Sequence, residues 1–532
     1  MYDLRCIFFF FFGFIGLIGY TQETEFISGK LIDSITLEPV VFATVRIKDK
    51  ALGVISNADG SFKIPVRFKS SGEYLEISSM GYETRVVSLS NFKNGLIELI
   101  KMKAALFELD EVVVSEKRTR KKELTAKQII YKSIKNLSVN LPQKPYSYVG
   151  YYRDYQLKND NYTNLNEAIF QIYDQGVQGS DFETSKVRIL EYHSNNDFPI
   201  DTVGQRPYDY KNKTKTISKA FLDSYGGNEY TILRIHNPIR NYQINSFDFV
   251  NKLESDFADN HIFYKEDDVI VDGIVLYHIS FKVMDDNITM DDRINVEGHM
   301  YIMKDNFAIQ GFDYAIYDKV AIGKNEGEKK ILLKTKVEYI RQNGKMYLSY
   351  HSMDNAFKIA KEPKLKLENV ILNLHRNCFI LKFTNTLEES SALRKSNYNA
   401  KFNGEKIKIK RLVLIGNEVL LYPDLENENT LEMITEIKSL GEQQKINNKN
   451  LKLNLKKLKD IDGNIINENW YENRKQFREF FVQKLQLEII SLPTDSLYMD
   501  KRKPIFNKLQ PINEGDSFKD YWMNTPLQNT KQ

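Results

Sequence analysis

The chain is poor in the residues that usually announce chemistry or covalent cross-links. Among its 532 residues are only two cysteines, Cys6 and Cys378, and two tryptophans. Removal of an N-terminal leader would leave Cys378 alone, which excludes an internal disulfide from the mature chain. The seven histidines are His193, His236, His261, His278, His299, His351 and His375. None stands in His-Glu-x-x-His or another close pair, so no zinc-hydrolase centre is written in the sequence. A Gly-x-Ser-x-Gly elbow, a Walker loop and a dinucleotide fingerprint are all absent. Charge of one sign is missing too: 75 basic residues face 71 acidic ones, for a net +4. Without a sustained basic stripe, nucleic acid is excluded as a partner class. No apolar run is long enough to cross a bilayer as a helix.

The longest apolar run, Ile7 to Ile18, follows Arg5 and precedes Gly19-Tyr20-Thr21-Gln22. This pattern predicts a secretory signal over residues 1–22 and hence export; a retained anchor or a buried helix is the alternative. No lipoprotein-type box precedes Cys6. A chain of this length predicts two or three domains. Its 31 tyrosines and 32 phenylalanines favour strands. The fold class expected is mainly β, with a small N-terminal β-sandwich followed by a larger antiparallel-sheet α+β domain. The expected divisions are a sandwich over 24–103, a linker over 104–124, a helix plus a large sheet over 125–395, and an α+β extension over 396–532.

Residues 26–102 carry the most information. Short segments alternate apolar with polar and are separated by turn residues, as in an antiparallel sandwich with one face of each sheet buried. They are Ile27–Ile32, Val41–Ile47, Gly53–Ser56, Ser61–Val66, Tyr74–Ser78, Glu83–Leu89 and Gly95–Leu99. Asn57-Ala58-Asp59-Gly60 reads as a tight turn. Gly29-Lys30-Leu31-Ile32-Asp33, Pro39 with Ala43-Thr44-Val45, Asn57 to Phe62 and Gly81-Tyr82-Glu83-Thr84 resemble the carboxypeptidase regulatory-like domain, a transthyretin-type sandwich. Ser56-Asn57 departs from the Thr-Asp usual there. Leu109 to Val114 is similar to the segment that follows this domain in Gram-negative envelope proteins, TonB-dependent receptors among them. The resemblance implies an accessory module, not a peptidase.

Further along, Glu116 to Lys122 is a basic run, read as a solvated linker or as a contact with anionic lipid heads. Thr125-Ala126-Lys127-Gln128 has the form of a capping box. Ile129, Ile130, Ile134 and Leu137 then follow at helical spacing, predicting a helix over 126–137. Tyr146 to Arg153 and Leu165 to Tyr173 predict strands and resemble the larger domain that follows the sandwich in some envelope proteins of unassigned role. Residues 176–245 are polar and predict surface excursions, and Phe247 to Phe257 a short helix. Between His261 and Ile359, long strands with tight turns predict a meander, with Asn343-Gly344 as its clearest hairpin signal. Val275 to Phe281, Gly298 to Ile302 and Ala308-Ile309 are similar to strand patterns in periplasmic lipoprotein carriers, whose curved sheet encloses an apolar pocket. Val370 to Lys382 predicts one buried strand, Lys401 to Val413 and Glu418 to Tyr422 further strands, Leu431 to Leu440 a helix, and Gln443 to Lys459 a polar, mobile stretch. Arg474 to Gln483 and Asp516 to Trp522 resemble late segments of the same envelope proteins and read as docking segments.

The candidate chemistry is thin. His278 and His299 fall on adjacent strands of the meander and are placed to approach each other, although ordinary sheet histidines are the simpler expectation. Cys378 reads as a structural thiol. Acidic pairs stand at Asp267-Asp268, Asp285-Asp286 and Asp291-Asp292, and the Asp285 to Asp292 loop offers oxygens to a hard cation. Asp460-Ile461-Asp462-Gly463-Asn464 begins like a calcium loop but lacks the sixth-position glycine and has Tyr471 where the bidentate acid belongs. No catalytic, cofactor-binding or metal-binding residue is therefore assigned, and no cofactor is expected. The leading expectation is a non-catalytic envelope protein that supports protein partners or handles a ligand, in the periplasm or at the outer membrane. A carrier of an apolar ligand, an enzyme whose site is assembled from distant residues, and a membrane barrel are the alternatives. The partners expected are envelope proteins or an apolar ligand, with peripheral membrane contact and no nucleic acid.

Overall fold

The computed structural model describes residues 26–50, 52–57, 59–105, 123–178, 181–194, 198–220, 227–245, 250, 252–271, 273–284, 294–318, 330–447, 449–487, 494, 497–506, 508, 510–513 and 522–523. The leader at 1–22, Leu109 to Lys122, and the Asp285 to Asp292 loop lie outside the described residues, as do Phe247 and Phe249. The chain forms two compact units. One comprises residues 1–211, 216–357 and 474–532, the other 212–215 and 358–473. The fold is mainly β, with a small N-terminal sheet domain and a large antiparallel sheet.

The sandwich contains β1 (Phe26–Asp33), β2 (Thr44–Ile47), β3 (Gly53–Ile55), β4 (Ser61–Pro65), β5 (Tyr74–Ser78), β6 (Arg85–Ser88) and β7 (Ile97–Met102). Its sheets have the orders β4-β1-β7 and β3-β2-β5-β6. Alternation turns Ile27 and Leu31 of β1 and Phe62 and Ile64 of β4 into a core shared with Val45, Ile47, Leu75, Ile77 and Ile100. Gly29 lies under the Phe62 ring, where a Cβ would stand 2.3 Å from Cζ, so any side chain there would displace that core ring. The sandwich is not antiparallel throughout. β7 returns from the other sheet by a crossover and so pairs in parallel with β1, from Ser28↔Ile97 to Asp33↔Met102. Trp522 closes the core from the far end of the chain: its Nε1 donates to the Lys63 carbonyl at 3.2 Å and its ring lies 5.4 Å from Phe68.

The large sheet begins after the helix Ala126–Lys135. The capping box there is formed, with Gln128 N donating to Thr125 Oγ1 and Thr125 N to Gln128 Oε1. The strands are β8 (Tyr146–Lys158), β9 (Asn161–Asp174), β10 (Lys186–Ser194), β11 (Lys215–Ile217), β12 (His261–Lys265), β13 (Val269–Val271), β14 (Ile274–Val283), β15 (Ile294–Met303), β16 (Ile309–Asp318), β17 (Lys330–Gln342) and β18 (Lys345–Lys361). The second unit then carries β19 (Leu367–Asn373), β20 (Cys378–Phe383), β21 (Tyr398–Phe402), β22 (Glu405–Lys406), β23 (Ile409–Ile415), β24 (Glu418–Pro423) and β25 (Leu451–Leu455), and β26 (Trp470–Gln486) returns to the large sheet. The main path of that sheet is β10-β9-β8-β26-β18-β17-β16-β15-β14-β12. Its ends do not meet, so the described strands form an open sheet and not the barrel held as an alternative. Asn343 and Gly344 both take positive φ, 49° and 74°, and make the two-residue turn between β17 and β18.

Four expectations shift. Residues 176–245 are not surface excursions: they supply β10 and a buried helix, Glu229–Ile235, whose Tyr230, Ile232 and Leu233 enter the core. Polar composition was misleading because Asp181, Arg234 and Arg240 are buried in ion pairs. Val370 to Lys382 is a hairpin, not one strand; it turns at Asn377, which takes a φ of 50°. The boundary read at 395/396 falls inside the segment 358–473 of the second unit. Gln443 to Lys459 contains β25, which is paired to β21. The second unit has its own core, where Ile434 and Ile437 of the helix Glu428–Glu442 meet Phe383, Leu421, Tyr398, Phe402 and Leu458.

Candidate functional site

Two polar rows run across the middle of the large sheet, one on each face, because alternation along β8 sends neighbouring residues to opposite sides. The register pairs Arg153 with Glu479 of β26 and Glu167 of β9. It pairs Asp154 with Arg478 and Asn166. All six side chains are buried.

On the face toward the sandwich, Arg153 ion-pairs with Glu479 and donates from Nη1 to Asn57 Oδ1 of the sandwich turn at 2.7 Å. Tyr350 of β18 donates its hydroxyl to Glu479 Oε2 at 3.0 Å, and Tyr151 donates to Glu167. Burial raises the Glu479 carboxyl above its ordinary range, with Arg153 and Tyr350 pulling the other way. Aromatic packing accompanies these bonds: Phe42 of the sandwich stacks on Phe477 at 5.5 Å and on Tyr350 at 6.5 Å. Gln483, wholly buried on β26, donates Nε2 to the Gly53 carbonyl at 2.9 Å. The sandwich is thus seated on the large sheet by a buried charge pair, a stack and a backbone contact. Beside this seat a cleft of about 450 Å³ opens. Arg46, Asp49, Lys50 and Glu76 line it from the sandwich, Arg341, Gln342, Ser349 and residues 481–485 from the sheet. Its wall mixes charged and amide side chains with the apolar Ile340, Phe481, Val482 and Leu485. Arg46 Nε and Gln483 Oε1 are buried there without hydrogen-bond partners among the described residues.

On the opposite face, Asp154 accepts from the Tyr152 hydroxyl at 2.9 Å and from the Asn166 and Gln476 amides. Arg478 donates Nε to Glu229 at 2.7 Å, in the first turn of the helix Glu229–Ile235, and Nη2 to the Tyr208 hydroxyl. Burial and the neighbouring Glu229 carboxylate push Asp154 up to about 7, against the hydrogen bonds from Tyr152 and Asn166. The void at this place is small, about 30 Å³, room for one or two waters. A second buried cluster holds the same helix: Arg240 grips Asp174 through Nε and Nη2 at 3.0 and 2.8 Å, and Arg234 grips Asp181.

The structure brings together one pair named from the sequence. His278 Nε2 and His299 Nδ1 lie 3.0 Å apart, and the Tyr301 ring stacks on His278 at 4.9 Å. His261 and His351 are core histidines, lowered by burial to about 4 and about 3. Burial likewise raises the Cys378 thiol. Asp268 ion-pairs with Lys304. Asp460 is saturated as a turn: its carboxylate accepts from the backbone N–H groups of Asp462 and Asn464 and the side-chain amides of Asn385 and Asn464. Among the described residues no three or more His, Cys, Asp or Glu side chains form a group able to hold a metal. Aromatic rings cluster on the meander, with Phe257 packed 5.2 Å from Phe281 and 5.6 Å from Phe263.

Sequence reasoning missed both polar rows. Arg153 and the Arg474 to Gln483 segment were noticed, the latter as a docking segment. Their one local signal was charge embedded in aromatic strands.

Among solved structures, the chain is similar to a LolA superfamily protein from Nitrosomonas europaea, at 9% identity over 44% of this chain and 86% of that one, with a TM-score of 0.18. It is also similar to a DUF1329 family protein from Desulfovibrio piger, at 9% identity over 43% of this chain and 86% of that one, with a TM-score of 0.20. At these scores neither bears on function. No curated protein matches the chain. Residues 27–114 match the family model of the CarboxypepD_reg-like domain, in agreement with the resemblance carried by Gly29 to Asp33, Asn57 to Phe62 and Gly81 to Thr84.

Proposed function

We propose that the chain is a non-catalytic cell-envelope protein whose regulatory-like sandwich and large sheet together hold a polar ligand or partner segment. The observation that carries this reading is the 450 Å³ cleft beside the sandwich seat, within the usual size of a ligand site, where charged and amide side chains stand among apolar ones. The sandwich is built into that wall through Arg46, Asp49, Lys50 and Glu76. For an apolar cargo the meander offers less, because Phe257, Phe263 and Phe281 pack against one another there. Native mass spectrometry of the chain purified from its own host tests the proposal. A bound mass lost in Arg46→Ala supports it; a ligand-free wild type, or a mass indifferent to Arg46, overturns it.

A second reading, acid–base catalysis at Asp154, draws on a carboxyl poised near neutrality beside Glu229. The space there admits water and no larger substrate, so the elevated carboxyl is better explained as part of the packing. Export rests on the Ile7 to Ile18 run. N-terminal sequencing of the mature protein checks it, and an intact Met1 defeats it.

A further inference from the structure

We propose that His278 and His299 form a two-imidazole site for a late transition-metal dication such as Zn²⁺, Ni²⁺ or Cu²⁺, on the face of the meander that carries Tyr301. Both residues sit on one face because β14 and β15 pair His278 with Tyr301 and Ser280 with His299, which makes the two histidines diagonal neighbours. Their facing nitrogens are 3.0 Å apart. Two nitrogens bound to one ion at about 2.0–2.1 Å stand about 2.9 Å apart at a right angle and about 3.3 Å at the tetrahedral angle. The pair is therefore already spaced as two neighbouring ligands, and small ring rotations admit an ion to the side of the line that joins them.

Without an ion, one imidazole donates to the other. An ion takes both lone pairs, and the donating ring carries its proton on its other nitrogen instead. The Tyr301 ring, stacked on His278 with planes 11° apart, limits rotation and so lowers the ordering cost of binding. Both histidines are half-buried and reachable from solvent. Glu266, which accepts from Ser280, interacts with His278. Asp313 lies opposite His299 on β16, where burial raises its carboxyl and Lys336 faces it from β17. Imidazole selects late transition ions over Mg²⁺ and Ca²⁺. Since no described third His, Cys, Asp or Glu completes a cluster, water fills the remaining positions and the ion stays exchangeable.

The test is calorimetric titration of the untagged mature chain with Zn²⁺ and Ni²⁺, joined to Cu²⁺ electron paramagnetic resonance, which counts coordinated nitrogens. The expected result is one ion per chain, two nitrogen ligands, and at least a tenfold loss of affinity in both His278→Gln and His299→Gln, with binding retained in His375→Ala. Circular dichroism confirms that each variant is folded, and His278→Asn and His299→Asn serve where a glutamine variant is not. Equal affinity in the wild type and the folded variants, a single nitrogen ligand, or loss of binding in His375→Ala overturns the proposal. None of these outcomes depends on what occupies the cleft beside the sandwich.

Discussion

Replacing Arg153 by methionine keeps most of the side-chain volume and removes the charge that joins three parts of the fold. The structure sets the size of the effect. Arg153 and Glu479 are 1% and 2% exposed, so Glu479 would be left as a buried carboxylate with only Tyr350 to answer it. Removing one partner of such a pair costs about 3–5 kcal/mol, whereas replacing both by apolar side chains is far milder. The cycle of Arg153→Met, Glu479→Leu and the double variant separates the two cases. Differential scanning calorimetry should show each single variant melting about 6–10 °C lower, at about 2 °C per kcal/mol for a body this large. The double variant should recover more than half of that loss. Because Arg153 also holds Asn57, amide exchange around β3 and β4 should rise in Arg153→Met before the rest of the sheet loosens. Additive single effects, or shifts below about 1 kcal/mol, refute the reasoning.

Asp154 carries a pH signature: a carboxyl at about 7 when folded and near 3.8 when unfolded binds more protons in the native state between those values. Its contribution to stability therefore falls as pH rises from about 4 to about 7, and Asp154→Asn should flatten that part of a urea-midpoint profile measured across the range. Thr125→Ala breaks the capping box and should cost about 1 kcal/mol by urea denaturation, with exchange increasing over 126–135. Gly344→Ala forces a side chain into a φ of 74° and should destabilise the β17–β18 hairpin by about 1 kcal/mol, measured as a shifted urea midpoint. Trp522→Ala empties part of the sandwich core and should cost about 3–5 kcal/mol, with proteolysis appearing first within residues 61–70.

The sandwich was legible almost strand by strand because its signals are local: alternation in β1 and β4, Gly60 in its turn, Gly81 before Tyr82. The Thr125 box and the Asn343-Gly344 hairpin were legible for the same reason, since each needs only its own few residues. What stayed hidden depends on pairing across the chain. Arg153 meets Glu479 from more than 300 positions away, and Arg240 meets Asp174 from a stretch whose polar composition read as loop. The approach of His278 to His299 was visible because they lie on consecutive strands. That β7 would run parallel to β1 was not, since alternation carries no direction.

β26, drawn from residues 470–486, lies between β8 and β18 at the centre of the large sheet. A ribosome therefore releases the two flanks, β8 to β10 and β12 to β18, long before the strand that joins them. Until then both flanks offer an unsatisfied hydrogen-bonding rim to any passing strand, their own or a neighbour's. A nascent chain built this way needs a holding chaperone more than a fast nucleus, and a stop codon ahead of residue 470 should yield an insoluble product in which both flanks keep an open edge.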